Sequence, residues 1–411
     1  MTQNKKNVIC NVFSGGMNSI LSLVWISIIT RKIGIESAGI FTIAYASASL
    51  FLNIGYWGMR NFQVSDLEHK YTWKAYLRSR VYSCVFMVIL AAIYSGWVII
   101  QDSEEKGLVI LGLTLIKALD AWEDVYHGKY QQEGRLDIAG FYMGLRLLLQ
   151  LVIMSTLILM NVSMVKAIYI TFICGIGILT IFIIISKRKF EFENIQTVYM
   201  EHSNLLLVCL PICICSFLSF YLNNMSKYAI DAQLDNVMQA YYGYISMPVF
   251  LTYLFANFVY APMLKEIAGA YGEQRKKAFF TLIVKAFLLI TMIGLVIVLA
   301  GYAIGIPGLQ ILYGISLEAY KKEFIILLIG SILYAYSAYF IVVITIMRKQ
   351  NICLIATLLC VCMSYFMTRF LVQTMQLTGA AISYLLSMLV LSIIYATCIL
   401  FFGIMKMKKD V

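Results

Sequence analysis

Charge is scarce in this chain: Asp, Glu, Lys and Arg supply only 13% of its 411 residues, where a soluble domain carries about a quarter. Proline occurs four times and histidine three times. With so few histidines, no His-x-x-x-His pair and no Ser-His-Asp set can be assembled on one helical face, so neither metallopeptidase nor acyl-transfer chemistry has a candidate. No G-x-x-x-x-G-K run followed by Ser or Thr is present, and no glycine-rich turn follows a strand, which leaves nothing to hydrolyse a nucleotide. Connections between apolar runs stay under about 20 residues, too short for a folded extramembrane module. An ordinary soluble enzyme is excluded.

What is abundant is apolar: 61% hydrophobic residues and a mean hydropathy of +0.84. Runs longer than about 18 residues recur along the whole chain, each able to cross ~30 Å of hydrocarbon as a helix. They predict an all-α integral membrane protein with about twelve transmembrane helices, near residues 8–30, 36–58, 79–101, 107–128, 137–159, 163–186, 203–223, 236–260, 278–302, 323–346, 351–372 and 379–403. The start MTQNKK imitates a secretory leader, but its apolar run continues for about 23 residues with no small-residue cleavage pattern, so it is expected to stay as the first helix. The ten cysteines fall almost entirely inside apolar runs. The groups CLPICIC and CVC lack C-x-x-C or histidine spacing and neighbouring carboxylates, so they are expected to be packing residues, with no metal, redox role or cofactor.

The remaining charge orients the chain. With an even number of spans both termini share one face, and that face collects 21 of the 32 basic residues against ten acidic ones, which is the whole formal net charge of +11. The positive-inside rule makes it cytoplasmic. The basic balance is thus a topology signal that suits an anionic inner leaflet and requires no nucleic acid. Residues 187–202, the longest connection on that face with potential for regular structure, divide the chain into a six-helix bundle over 1–186, a linker, and a second bundle over 203–411. Two six-helix halves are a common transporter plan, with the substrate site between them near the midplane.

Steps of about 100° per residue reveal polar stripes on four helices. Asn11, Ser14, Gly15, Asn18, Ser22 and Trp25 share one face of the first, and Thr42, Tyr45, Ser49, Asn53, Tyr56 and Arg60 one face of the second. Ser216, Ser219, Asn223 and Lys227 align on the seventh, and Gln239, Tyr242, Ser246, Tyr253, Asn257 and Tyr260 on the eighth. These are the first two helices of each half. Such side chains either join helices or face water, and four stripes on matching helices favour a hydrated cavity.

The fourth span is the most charged, with Lys117, Asp120, Glu123, Asp124 and His127 within about 120° of arc. Two readings stand for it. Lys117 neutralises Asp120 or Asp124 while a remaining carboxylate carries H+ or Na+, or else Glu123, Asp124 and His127 approach the cytoplasmic surface and are solvated. Tyr142, Arg146 and Gln150 line one face of the next helix, so Arg146 is expected to meet the acidic stripe, in a structural ion pair or as part of a site. Lys285 and Arg369 are isolated cations in or near apolar spans, which either snorkel to the surface or add positive potential for an anionic ligand.

In order along the chain stand ITRKIGIESAGIFTIAYA after the first helix, GYWGMRNFQVSD closing the second, YYGYISMPVF with a later Ala-Pro in the eighth, ILYG before the tenth and TGAAISYLLS opening the twelfth. Through these segments the chain resembles, over essentially all 411 residues, the polysaccharide biosynthesis flippases, the lipid-linked oligosaccharide exporters of the multidrug/oligosaccharidyl-lipid/polysaccharide superfamily. The resemblance implies two six-helix bundles around a central V-shaped cavity in the bacterial cytoplasmic (inner) membrane. It implies alternating-access transfer of an undecaprenyl-pyrophosphate-linked repeat unit, of the kind used for O-antigen or capsule in the cell envelope, together with other polysaccharide assembly proteins. Relatives line the cavity with cations; here the middle of the second helix carries Asn53, and Arg60 stands at its cytoplasmic mouth.

A headgroup of sugars and phosphates needs a wet groove to cross hydrocarbon, and tyrosine faces and asparagine amides suit sugars. Arg60, Arg146, Lys227 and Lys285 are the expected ligands of the anionic headgroup, with Asn18, Asn53, Asn223, Tyr253 and Asn257 as polar lining, and Lys117, Asp120 and Asp124 in coupling or gating. The alternatives are an ion-coupled multidrug or metabolite exporter of the same fold, using Asp120 and Asp124, and a membrane sugar polymerase, disfavoured by short outer loops.

Overall fold

Apolar sequence with almost no proline leaves the backbone one local way to satisfy its amides in hydrocarbon, the helix. The computed structural model describes residues 2–66, 71–188 and 202–406, and contains helices and no strands among them. The first compact unit, Met1–Phe217, holds α1 (Gln3–Lys32), α2 (Ile35–Tyr56), the short α3 (Met59–Ser65), α4 (Trp73–Gln101), α5 (Glu104–Gln132), α6 (Leu136–Leu159), α7 (Met164–Lys187) and the start of α8 (His202–Gln233). The second, Leu218–Val411, holds the rest of α8 with α9 (Asn236–Ser246), α10 (Val249–Tyr260), α11 (Leu264–Gly272), α12 (Lys276–Ala300), α13 (Ile306–Tyr313), α14 (Lys321–Ile346) and α15 (Gln350–Lys406). Of the linker expected at 187–202, residues 189–201 lie outside the described residues.

Helix starts are marked by side chains that accept otherwise unpaired amides. Thr72 caps α4 through the Ala75 N–H at 3.2 Å, Ser103 caps α5 through Lys106 at 3.2 Å, and Asp235 caps α9 through Met238 at 2.7 Å. Ten helical stretches are long and apolar enough to cross a membrane. One of them is interrupted at Gln376 (φ 49°, ψ −127°), which splits α15 into the expected eleventh and twelfth spans. α5, at 29 residues, is as long as its neighbours and differs in its charge. The eighth span departs from expectation: Pro248 begins a new helix, and a 3-10 turn at Ala261–Met263 leads into α11.

The ends of these helices are fixed by aromatic packing in the first unit. Met59, Tyr71, Ala75, Tyr76, Val125 and Tyr126 form a buried cluster with Leu205 and Cys209 of α8. Trp73 meets Tyr126 with ring centres 5.4 Å apart. This cluster ties α3, α4, α5 and α8 together at the end where the site lies. In the second unit rings take over from charge, with Tyr253 against Tyr334 at 5.5 Å, Tyr260 against Tyr339 at 5.3 Å and Tyr244 against Tyr313 at 4.3 Å.

Candidate functional site

The second helix does not continue to Arg60. α2 stops at Tyr56 because Trp57 and Gly58 both take left-handed backbone, at φ 50° and 66°, and the chain resumes as α3. A Cβ at Gly58 would come within 2.6 Å of Ile212, so glycine suits both the conformation and the approach of α8. The Trp57 indole N–H donates to the Leu206 carbonyl at 2.9 Å. Arg60 is thereby held on a separate short element, over the end of α5.

Below it lie two sets of buried ion pairs along α5. Arg146 of α6 is fully buried: its Nη2 lies 2.6 Å from Asp120 Oδ1 and 2.7 Å from Glu123 Oε2, and its Nη1 donates to Gln150 at 3.0 Å. Lys117 Nζ takes the other Asp120 oxygen at 3.1 Å and sits 4.9 Å from the centre of the Tyr45 ring. His127 Nε2 approaches Glu123 Oε1 at 3.3 Å. Asp124 is held from two sides, by Arg80 Nη2 at 2.7 Å and by Arg60 Nη1 at 3.3 Å. Arg80 also donates to the Gly55 carbonyl, which accepts Ser83 Oγ at 2.9 Å as well.

Charges in a bilayer persist only when paired, so the helices that carry these residues must pack closely. Gly55 allows it, since a Cβ there would meet Met87 Sδ at 2.6 Å and Ala121 Cβ at 2.9 Å. Gly55→Val is therefore expected to push α2 from α4 and α5 and to lower stability by about 1–3 kcal/mol. Gly96→Ala, where an added Cβ meets nothing within 4 Å, is the control. Thermal unfolding in detergent measures both.

Four cations (Arg60, Arg80, Lys117, Arg146) face three carboxylates (Asp120, Glu123, Asp124), leaving one positive charge in excess. Arg80 and Arg146 have no exposed side-chain surface, whereas the Arg60 side chain is 32% exposed. The excess is reachable at Arg60. There a cavity of about 270 Å³ is lined by Asn53, Tyr56, Gly58, Arg60, Asp124 and Ser216, all of the first unit. At ~30 Å³ per water it has room for a small hydrated anion. Arg60 Nε and Nη2 reach Gln131 Oε1 at 3.2 and 3.1 Å, which fixes the plane of the guanidinium.

Several expectations change here. Glu123, Asp124 and His127 are buried, so the solvated alternative is corrected, and Lys117 pairs with Asp120 rather than Asp124. Arg146 meets the acidic stripe as expected; its side chain has no exposed surface, and carboxylates and Gln150 occupy its donors. Arg80, at the very start of the span expected near 79–101, is a buried partner of Asp124. The signal that finds it is its register with Ser83, Met87 and Ala91, the buried face of α4.

Of the other expected residues, Asn53 lines the cavity and donates to Ser49 O at 2.9 Å. Tyr253 stacks on Tyr334 of α14, and Asn257 follows one turn on along α10. Asn18 is exposed on α1, Asn223 and Lys227 are half-buried on α8, and Lys285 is exposed on α12. Among the described residues Lys227 and Lys285 have no ion-pair partner, and no group of three or more His, Cys, Asp or Glu side chains is arranged to hold a metal ion.

Compared by sequence, the chain matches no protein-family model and no curated protein. Compared by structure, it is similar to a multidrug resistance MATE family transporter of the MOP superfamily in its inward-facing conformation, with a TM-score of 0.66 at 17% identity over 96% of each chain. The outward-facing conformation of such a transporter gives a TM-score of 0.65 at 16% identity, covering 100% of this chain and 98% of the other. The eukaryotic MATE transporter AtDTX14 gives 0.65 at 12% identity, covering 97% and 96%. This chain has the fold of the MATE transporters of the MOP superfamily.

Proposed function

We propose that the protein is an alternating-access transporter of the bacterial cytoplasmic membrane that moves a polyprenyl-pyrophosphate-linked oligosaccharide, with Arg60 as the ligand of the anionic headgroup. The observation that carries this reading is the excess positive charge presented at the Arg60 cavity beside Asn53, Tyr56 and Ser216. A planar guanidinium held by Gln131 offers paired N–H donors to phosphate oxygens. Asn53, Tyr56 and Ser216 supply the mixed donors and acceptors that sugar hydroxyls require.

The remaining network supports Arg60 from behind. Lys117, Asp120 and Asp124, once candidates for coupling, act in this reading as a fixed scaffold, since each is already in an ion pair. Lys227 and Lys285 belong to the second unit, and the reading does not require them.

The multidrug alternative needs a carboxylate open to a cation. Asp120 and Asp124 are instead held by two cations apiece. The two readings separate in a binding experiment. Purified protein is titrated with a short-chain polyprenyl pyrophosphate bearing a disaccharide, and in parallel with a cationic dye. Saturable binding of the pyrophosphate lipid that weakens in Arg60→Ala is expected; dye binding that is lost in Asp120→Asn or Asp124→Asn, without glycolipid binding, would replace this reading with the exporter.

A further inference from the structure

We propose that the cleft between α11 and α12 in the second unit is a binding site for an anionic phospholipid of the cytoplasmic leaflet, separate from the Arg60 cavity and independent of the function proposed above. The cleft measures about 1050 Å³ and is lined by Lys265 and Glu266 of α11, by Arg275, and by Lys276, Lys277 and Leu282 of α12. Arg275 is already paired with Glu273 at 2.7 Å. Lys265, Lys276 and Lys277 are exposed and have no ion-pair partner among the described residues, and Glu266 is the carboxylate they share the cleft with. Three lysines against one carboxylate make the cleft a trap for a phosphate.

The phosphate is that of a lipid, because the cleft opens onto an apolar helix face. α12 is a membrane-length helix that begins at Lys276, so its first turn lies where headgroups lie and its next turns run into hydrocarbon. Below the lysines, Ala278, Thr281 and Leu282 line the cleft, and Val284, Leu288, Met292 and Leu295 continue as exposed apolar residues along the helix. Lys277, Thr281 and Lys285 follow one another at intervals of four residues on one face. An acyl chain would lie on the apolar face while the headgroup is gripped from above. A free phosphate would gain nothing from that face.

The test uses the full-length protein in detergent, exchanged against equal amounts of phosphatidylglycerol and phosphatidylcholine, with retained lipid counted by native mass spectrometry. Preferential retention of phosphatidylglycerol is expected. A basic residue near an anionic surface contributes about a fivefold affinity factor. Lys276→Gln with Lys277→Gln is therefore expected to weaken retention at least about tenfold at unchanged melting temperature. Gly269→Leu provides the second arm: Gly269 lines the cleft and an added Cβ there meets nothing within 4 Å, so the larger side chain fills the space without removing charge. It too should abolish retention. Equal retention of both lipids, retention unchanged in either variant, or displacement of the lipid by millimolar inorganic phosphate would each overturn the proposal.

Discussion

Arg146→Met is expected to remove most of the folded protein, with a loss of about 3–5 kcal/mol, the scale on which breaking a buried ion pair leaves an uncompensated charge. Among the described residues Arg146 is the cation that holds Glu123, beside the His127 imidazole, and it also shares Asp120 with Lys117. Without it, Glu123 is left as a buried carboxylate beside the His127 imidazole, with no guanidinium to compensate its charge. The second change that should restore stability follows directly. In Arg146→Met with Glu123→Gln, the Lys117–Asp120 pair stays neutral and the Arg60–Asp124–Arg80 set keeps its contacts, so most of the loss should be recovered. Thermal unfolding in detergent, read by size-exclusion of the heated protein, compares the single and double variants. A single variant as stable as the parent would mean that the network is not a structural unit.

Arg60→Ala separates function from fold. Its carboxylate partner keeps a second donor, because Asp124 remains bound to the buried Arg80 at 2.7 Å. A partly exposed ion pair contributes about 0–1 kcal/mol, so folding should change little. Transport should fall at least about tenfold, since a hydrogen bond to a charged group is worth about 1.5–3 kcal/mol and 1.4 kcal/mol is a factor of ten. Arg60→Lys should restore only part of it, a point charge replacing a planar pair of donors. The measurement is initial transport rate at matched protein levels, alongside melting temperature. A large fall in stability, or an unchanged rate, would remove Arg60 from the site.

The helices were legible because hydropathy is a property of composition, and each expected span falls on helical sequence, the eighth being divided at Pro248 into α9 and α10. The partners on α5 and α6 were legible because Lys117 and Asp120 stand three residues apart and Arg146 sits mid-helix with nowhere else to go. Arg80 was not. α4 begins at Trp73 rather than 79, capped by Thr72, and those extra residues carry Arg80 about two turns inside the helix instead of at its mouth. Hydropathy does not register Trp, Lys and Arg as helix-forming in the same way as leucine, yet an amphipathic first turn packed on Tyr126 extends the helix.

The break at Trp57 was equally hidden. Gly58 signals it weakly, but a left-handed tryptophan is set by tertiary contacts, here the indole bond to Leu206. Continuing the period of α2 to Arg60 therefore placed Arg60 at the end of α2, whereas it stands on the separate helix α3. Pairing in three dimensions also decided between alternatives that spacing left open, burying Glu123, Asp124 and His127 where a small shift in register would have solvated them.

What the protein carries is decided by a direct assay of movement between leaflets. Reconstitution into proteoliposomes with a fluorescent polyprenyl-pyrophosphate-linked oligosaccharide, followed by a membrane-impermeant quencher, reports movement between leaflets. The expected result is protein-dependent translocation that is abolished in Arg60→Ala and competed by an unlabelled polyprenyl pyrophosphate. Glycolipid that stays in its original leaflet, while the same vesicles move a cationic dye along an ion gradient, would contradict it.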